Sequence, residues 1–200
     1  MRSVLTVLGT VLGAIALLLA SAVSAYAVSG GPMTAVLTAG ALSLTGAVPG
    51  SFVATLTGAS QTVDAALTTY QAVDARGTAT GWHVTFSATT FACANPTDAG
   101  CPAGGSTFPT SSLTMPAPTV TCVALCTGIA APPTISIVAL TALDSGSAVT
   151  VASAATNTGA GTYNFAPGTV GTGNLQLAVP SNAYATTYHS TLTVSIVAGP

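Results

Sequence analysis

Charged side chains are scarce in this sequence: they make up 3% of its 200 residues, and neither lysine nor glutamate occurs. Nucleic-acid binding needs clustered lysine and arginine to displace phosphate counterions, which the two arginines cannot supply. A polybasic membrane-binding patch is excluded for the same reason. A two-carboxylate glycosidase would have to rely on the four aspartates alone. The charged residues are Arg2, Asp64, Asp74, Arg76, Asp98 and Asp144.

One long apolar run is present, at the N-terminus. It covers residues 4–25, follows an arginine, and ends in small residues with an A-Y-A tripeptide that fits a signal-peptidase site. We predict a helical signal peptide over residues 1–27 and a single exported domain over residues 28–200. The alternative is an uncleaved anchor, because about 20 apolar residues span a bilayer. No other segment is long enough, so we expect no stable membrane span after cleavage and an extracellular, secreted or wall-associated location.

The four cysteines, Cys93, Cys101, Cys122 and Cys126, are an even number in a chain expected to be exported, which predicts two disulfides. We expect the local pairs Cys93–Cys101 and Cys122–Cys126, because short loops close most easily. A nested pairing would close longer rings and stabilise more, so chain entropy leaves the other pairings open. A zinc site is disfavoured, because the C-x3-C spacing has no second matching pair. We therefore expect no metal and no cofactor.

Threonine and valine are abundant, and both are β-branched residues that favour strands over helices. Short runs with period-2 alternation lie between glycine and proline turns, at residues 82–88, 134–140, 174–179 and 188–196. In the first run, Trp82 starts an apolar row and His83 starts a polar one. Many short strands separated by turns predict an all-β fold, an antiparallel β-sandwich.

The middle of the chain has a different composition. Residues 93–133 hold all four cysteines and a Pro/Ser/Thr-rich run, STFPTSSLTMPAPT. We predict a long disulfide-tied loop, an excursion between sheet elements. A loop of this length is uncommon in a compact domain, and the cysteines would make it tolerable.

The stretch from Ala75 to Phe86, ARGTATGWHVTF, holds the only tryptophan. Strand-like residues flank GTATG, which predicts a β-hairpin whose loop uses Gly77 and Gly81 at positive φ. Asp74 and Arg76 can pair on one strand face, where an exposed pair contributes about 0–1 kcal/mol. Trp82 has two interpretations: a tryptophan of the sheet core, or a ligand contact at the sandwich rim.

A catalytic interpretation is weak. Asp74, His83 and a serine could be combined into a triad on paper, but no G-x-S-x-G elbow presents a nucleophile. His83 and His189 both lie on the polar side of alternating strands, where they face solvent or threonines. We expect a protein that is not an enzyme.

Two segments carry a family resemblance. VDARGTATGWHVTFSATTF is similar to a D-x-R/T-G … G-W-x-V/L motif, and the ending YHSTLTVSIVAGP is similar to Y-x-S/A-T-L-T-W-x-L-x-x-G-P. Both motifs are typical of WxL-domain surface proteins of Gram-positive bacteria. The likeness covers residues 34–200 and is strongest at residues 70–92 and 158–200. It implies a WxL-like, immunoglobulin-like β-sandwich that attaches non-covalently to the cell wall, through peptidoglycan or within a complex of surface proteins.

The resemblance also gives candidate binding residues. The first motif keeps its tryptophan and has valine in place of leucine; the second has Val194-Ser195-Ile196, with no tryptophan. The candidates are Trp82, Val84, Asp74, Arg76, Val194 and Ile196. We predict a secreted wall-binding module. The alternatives are a self-assembling structural subunit whose uncharged strand edges pair, and a secreted hydrolase.

Overall fold

The computed structural model describes residues 33–124 and 126–199. The contacts divide the chain into a unit of residues 1–37 and a unit of residues 38–200. The predicted signal peptide, residues 1–27, and its cleavage site lie outside the described residues. Within the described ranges, no helix combines the length and apolar character needed to cross a membrane.

In the described part of residues 38–200, the regular secondary structure consists of short strands and one short 3₁₀ helix. Their apolar residues alternate with polar ones, as in β4, where Trp82, Val84 and Phe86 are buried and the residues between them are partly exposed. The elements are β1 (Leu42–Gly46), β2 (Gln61–Ala65), β3 (Tyr70–Asp74), β4 (Trp82–Ala88), β5 (Ala92–Cys93), β6 (Ser106–Thr107), β7 (Leu113–Met115), β8 (Thr119–Cys122), a 3₁₀ helix (Gly128–Ala130), β9 (Thr134–Ile135), β10 (Thr141–Ala142), β11 (Val149–Ala154), β12 (Gly161–Ala166), β13 (Leu175–Val179) and β14 (Leu192–Ala198).

These strands form three four-stranded sheets, and every strand ladder is antiparallel. Sheet I has the order β1-β3-β12-β8, sheet II has β14-β4-β11-β9, and sheet III has β10-β7-β13-β2. The strands β5 and β6 form a separate pair. The prediction of an all-β fold with antiparallel sheets is confirmed.

The sheets pack face to face over one core. Tyr70 of sheet I lies against Phe86 of sheet II, with ring centroids 5.4 Å apart. Tyr163 of sheet I lies 5.9 Å from Trp82 of sheet II in the same way. Sheet III adds Leu113, Met115, Leu175, Leu177 and Val179 to the same buried cluster. The packing is that of a sandwich, as predicted.

The predicted hairpin at Ala75–Gly81 is wrong. The strand before it, β3, pairs with β1 and β12, whereas the strand after it, β4, pairs with β14 and β11. The connection therefore crosses from sheet I to sheet II as an arch. Gly77 and Gly81 do have positive φ, 71° and 80°, but they lie in a connection that crosses between two sheets and not in a hairpin turn.

The middle segment is more structured than predicted. Residues 93–133 contain β7, which lies between β10 and β13 in sheet III, and β8, which is an edge of sheet I. Leu113 and Met115 of β7 are buried core residues. The prediction of two disulfides is confirmed. They join Cys93 to Cys101 and Cys122 to Cys126.

Candidate functional site

The arch is held by a side chain that joins its two ends. Arg76 donates from Nε to Asp74 Oδ1 at 2.8 Å and from Nη2 to Oδ2 at 2.9 Å. The same Nη2 donates to the carbonyl oxygen of Gly81 at 2.8 Å. The Asp74 side chain is 1% exposed and that of Arg76 is 18% exposed, so the expectation of an exposed, weak pair is wrong. The hydrogen bonds from Arg76 hold the pKa of Asp74 below its usual range.

Trp82 begins β4 directly after the arch and has no exposed surface. Its indole Nε1 donates to the carbonyl oxygen of Gly159 at 2.8 Å. Gly159 has a φ of 75°, and a Cβ there would lie 2.7 Å from the indole nitrogen. Residue 159 itself must therefore lack a side chain, because a Cβ there would clash with the ring. This geometry matches the core interpretation of Trp82, because a fully covered ring cannot contact a ligand while the sheets are closed.

The two motif segments lie side by side. In the antiparallel pair of β14 and β4, Val194 lies opposite Phe86, Ile196 opposite Val84, and Ala198 opposite Trp82. Val84 is buried, while Val194 and Ile196 are partly buried and pack against the core. The four apolar candidates, Trp82, Val84, Val194 and Ile196, thus form one inward-facing row across two neighbouring strands, whereas Asp74 and Arg76 lie at the arch.

The same strands present a second row on their other side. His83, Thr85 and Ser87 of β4 lie opposite Val197, Ser195 and Thr193 of β14. The next strand, β11, adds Thr150 opposite Thr85 and Ser153 opposite His83. We call the five residues Thr85, Ser87, Thr150, Thr193 and Ser195 the hydroxyl row.

The hydroxyl row was not among the site residues that the sequence suggested. Its signal was present in the alternation of WHVTFSA, because residues between buried ones must face outward. Next to the row, His83 Nδ1 lies 3.1 Å from the carbonyl oxygen of Gly199. A carbonyl only accepts, so Nδ1 is the donor in this contact.

A groove of about 930 Å³ opens elsewhere on the domain. Residues 49–56 form one wall and residues 183–190 form the other. Its floor is apolar and includes Phe91, Phe108, Leu175 and Leu177.

A polar pair stands at one wall of the groove. His189 Nε2 lies 2.8 Å from Asp98 Oδ1. Asp98 also accepts from the backbone N–H of Ala94 at 2.8 Å. The Ala94 N–H, and then His189, hold the pKa of Asp98 below its usual range.

The residues considered for a catalytic triad do not bind one another. Asp74 at the end of sheet I is bound by Arg76, whereas His83 of sheet II contacts the carbonyl oxygen of Gly199, which follows β14 of the same sheet. In the described ranges, no group of three or more His, Cys, Asp or Glu side chains is placed to hold a metal ion.

Comparison with known proteins identifies one family. The model for "WxL domain surface cell wall-binding" matches residues 50–200, well over half of the chain. The match includes both motif strands and, apart from Pro49, both walls of the groove. No curated protein and no solved structure matches the chain.

Proposed function

The chain belongs to the WxL domain family of surface cell wall-binding proteins, and on that premise we propose that it is secreted and held non-covalently on peptidoglycan by its hydroxyl row. The family assigns a binding role at the cell surface and not a catalytic one. What the proposal adds is the wall polymer and the residues that touch it.

The observation that carries the proposal is the orientation of the two motif strands. Trp82 and Val84 have no exposed surface, so they cannot meet a polymer chain. Thr193 is exposed, and Thr85 and Ser195 are partly exposed on the opposite side of the same strands. If the motif segments recognise the wall, the contact therefore falls to this outward side.

The chemistry of the row suits an uncharged sugar polymer. A hydroxyl both donates and accepts hydrogen bonds, as the hydroxyl and acetamido groups of a glycan strand do. The row contains no charged residue, so its contacts should be little screened by salt. We expect wall-bound protein to resist elution by concentrated salt and to be released by denaturant.

The proposed export rests on the N-terminal run and on the cysteines. Residues 1–27 have the pattern of a signal peptide. Two disulfides are characteristic of chains that fold in oxidising compartments. N-terminal sequencing of protein released from washed walls should begin at Val28.

The test is a variant that removes hydroxyls without changing shape. Thr85→Val, Thr193→Val and Ser195→Ala nearly keep the volume of each side chain, and the two valines also keep the β-propensity of threonine. We expect this triple variant to melt like the parent and to lose most of its retention on purified walls.

The matched control removes three hydroxyls from the outer face of sheet I. Thr45→Val, Thr121→Val and Thr162→Val change the same chemistry on strands outside the two motifs. Sedimentation with walls should match that of the parent. Equal retention of both triple variants would refute the hydroxyl row as the contact, and loss in both would indicate nonspecific adhesion.

A further inference from the structure

A short segment before the first strand has the pattern of a strand but pairs with none of the described strands. Residues 33–39 read MTAVLTA, with Met33, Ala35 and Leu37 alternating with Thr34, Val36 and Thr38. They form no strand in the structure, and Met33, Val36 and Leu37 are each more than nine-tenths exposed. We call residues 33–39 the arm. Its alternation is what a strand needs when one face is to be buried.

Among its described residues, the groove has backbone groups that lack hydrogen-bond partners, which an added strand could supply. Within the described part of the chain, the backbone groups of residues 51–54 and 185–187 make no hydrogen bonds. Thr186 Oγ1, on one wall, is buried without a partner. Between these two walls lies an apolar floor that includes Phe108, Leu175 and Leu177. Unpaired backbone beside an apolar floor is the arrangement that accepts an added strand.

The two features match in length, charge and pattern. Residues 51–56 span about 20 Å when extended, and an equal stretch of the arm spans the same length. The arm has no charged residue, and no Asp, Glu, Lys or Arg is among the described residues that line the groove. The alternating row of Met33, Ala35 and Leu37 would face the floor while the arm's backbone pairs with a wall.

We propose that the groove of one molecule binds the arm of a second copy of this chain, by β-strand addition. The exchange hides the apolar side chains of the arm and pairs the free backbone of residues 51–54. Because the arm and the groove are different surfaces, the contact is head-to-tail, and it continues into chains of molecules unless two copies exchange arms reciprocally. The assembly leaves the hydroxyl row free, so it is independent of the proposed wall contact.

The first test measures mass. The exported protein, purified from the cells that make it, is analysed by size-exclusion chromatography with light scattering from micromolar to millimolar concentration. We expect dimers or longer assemblies for the parent. Leu37→Asp in the arm and Val53→Asp on the groove wall should each return the protein to monomer. Both positions are exposed, at 93% and 83%, so neither change should disturb the fold of a single molecule.

The control is Val138→Asp, which places the same charge at a valine that is 94% exposed and outside both features. It should assemble like the parent. A parent that stays monomeric across the concentration range would overturn the proposal. So would an assembly that survives both Leu37→Asp and Val53→Asp, since it would use another surface.

The second test identifies the pair of surfaces. Val36→Cys and Val53→Cys are introduced into two molecules that carry different tags, which are then mixed and oxidised. We expect a disulfide between the two tagged chains. Mixing the Val36→Cys molecule with a Val138→Cys molecule is the control and should give little product. Equal crosslinking in the two mixtures would also overturn the proposal.

Discussion

Replacing Trp82 separates a structural role from a binding role. Trp82→Ala removes a ring that is fully buried between Tyr163 and Phe165. A cavity of this kind costs about 3–5 kcal/mol. The carbonyl of Gly159 also loses its indole donor, which adds about 1–3 kcal/mol if no water replaces it.

The sum, about 4–8 kcal/mol, is a large share of the 5–15 kcal/mol by which a typical domain is stable. For a domain of this size, each kcal/mol corresponds to about 2–4 °C in Tm, so the expected loss is roughly 8–32 °C. Trp82→Phe keeps an aromatic ring but removes the N–H and part of the ring volume, so it should cost less than Trp82→Ala and at least about 1–3 kcal/mol. Thermal melts of the parent and both variants measure these differences.

The wall assay is run at a temperature at which every variant is folded. The hydroxyl row is unchanged in both variants, so folded Trp82→Phe should sediment with walls as the parent does. A Trp82→Ala protein that melts like the parent would refute the core assignment. A stable Trp82→Phe protein that no longer binds walls would show that the indole itself touches the ligand.

Three further predictions follow from the same region and from the groove wall. Gly159→Ala forces a side chain into φ +75° beside the indole, so Tm should fall by the equivalent of at least about 1–2 kcal/mol; an unchanged melt would contradict the packing. Arg76→Lys cannot reach both Asp74 and the Gly81 carbonyl with one ammonium, so a urea titration should show a loss of about 1–2 kcal/mol, and full stability would refute the brace. The lowered pKa of Asp98 stabilises the fold above its unfolded value near 3.9 and ceases to do so as pH falls through the folded value. Asp98→Asn should therefore show a smaller drop in Tm below about pH 4 than the parent, and equal slopes would contradict the assignment.

The alternation of residues predicted β4, β13 and most of β14 with their two faces, but of the run at residues 134–140 only Thr134–Ile135 is a strand. It also did not predict which strands are neighbours. The arch illustrates the difference. A glycine-bounded loop between two strands fits a hairpin or a crossing between layers equally well. Long-range contacts decide between the two. β3 pairs with β12, nearly ninety residues later in the chain, and Arg76 stabilises the crossing by binding both ends of the arch. The local sequence predicts neither the pairing of β3 with β12 nor the crossing between the sheets.

The middle segment was predicted poorly for a related reason. Its prolines and cysteines indicate loops, and β7 is only three residues long, too short to show a period. Leu113 and Met115 belong to a strand because β10 and β13 lie on either side of them. The role of Gly159 was equally hidden, because its need for a bare Cα arises from a ring 77 residues away in the chain.

The surroundings of Val194 explain how the fold forms without the tryptophan of the second motif. Val194 occupies that position and lies opposite Phe86, which already fills the space toward Tyr70 of the other sheet. The position needs apolar area to complete the inward row, and a valine supplies it without an aromatic ring. An indole therefore cannot be the common element of recognition in this chain, since one is absent and the other is covered. Under the proposed function, the motif strands present their inward apolar row to the core and their hydroxyl row to the wall. Binding to walls of different glycan composition should therefore depend on the hydroxyl row and not on the inward row.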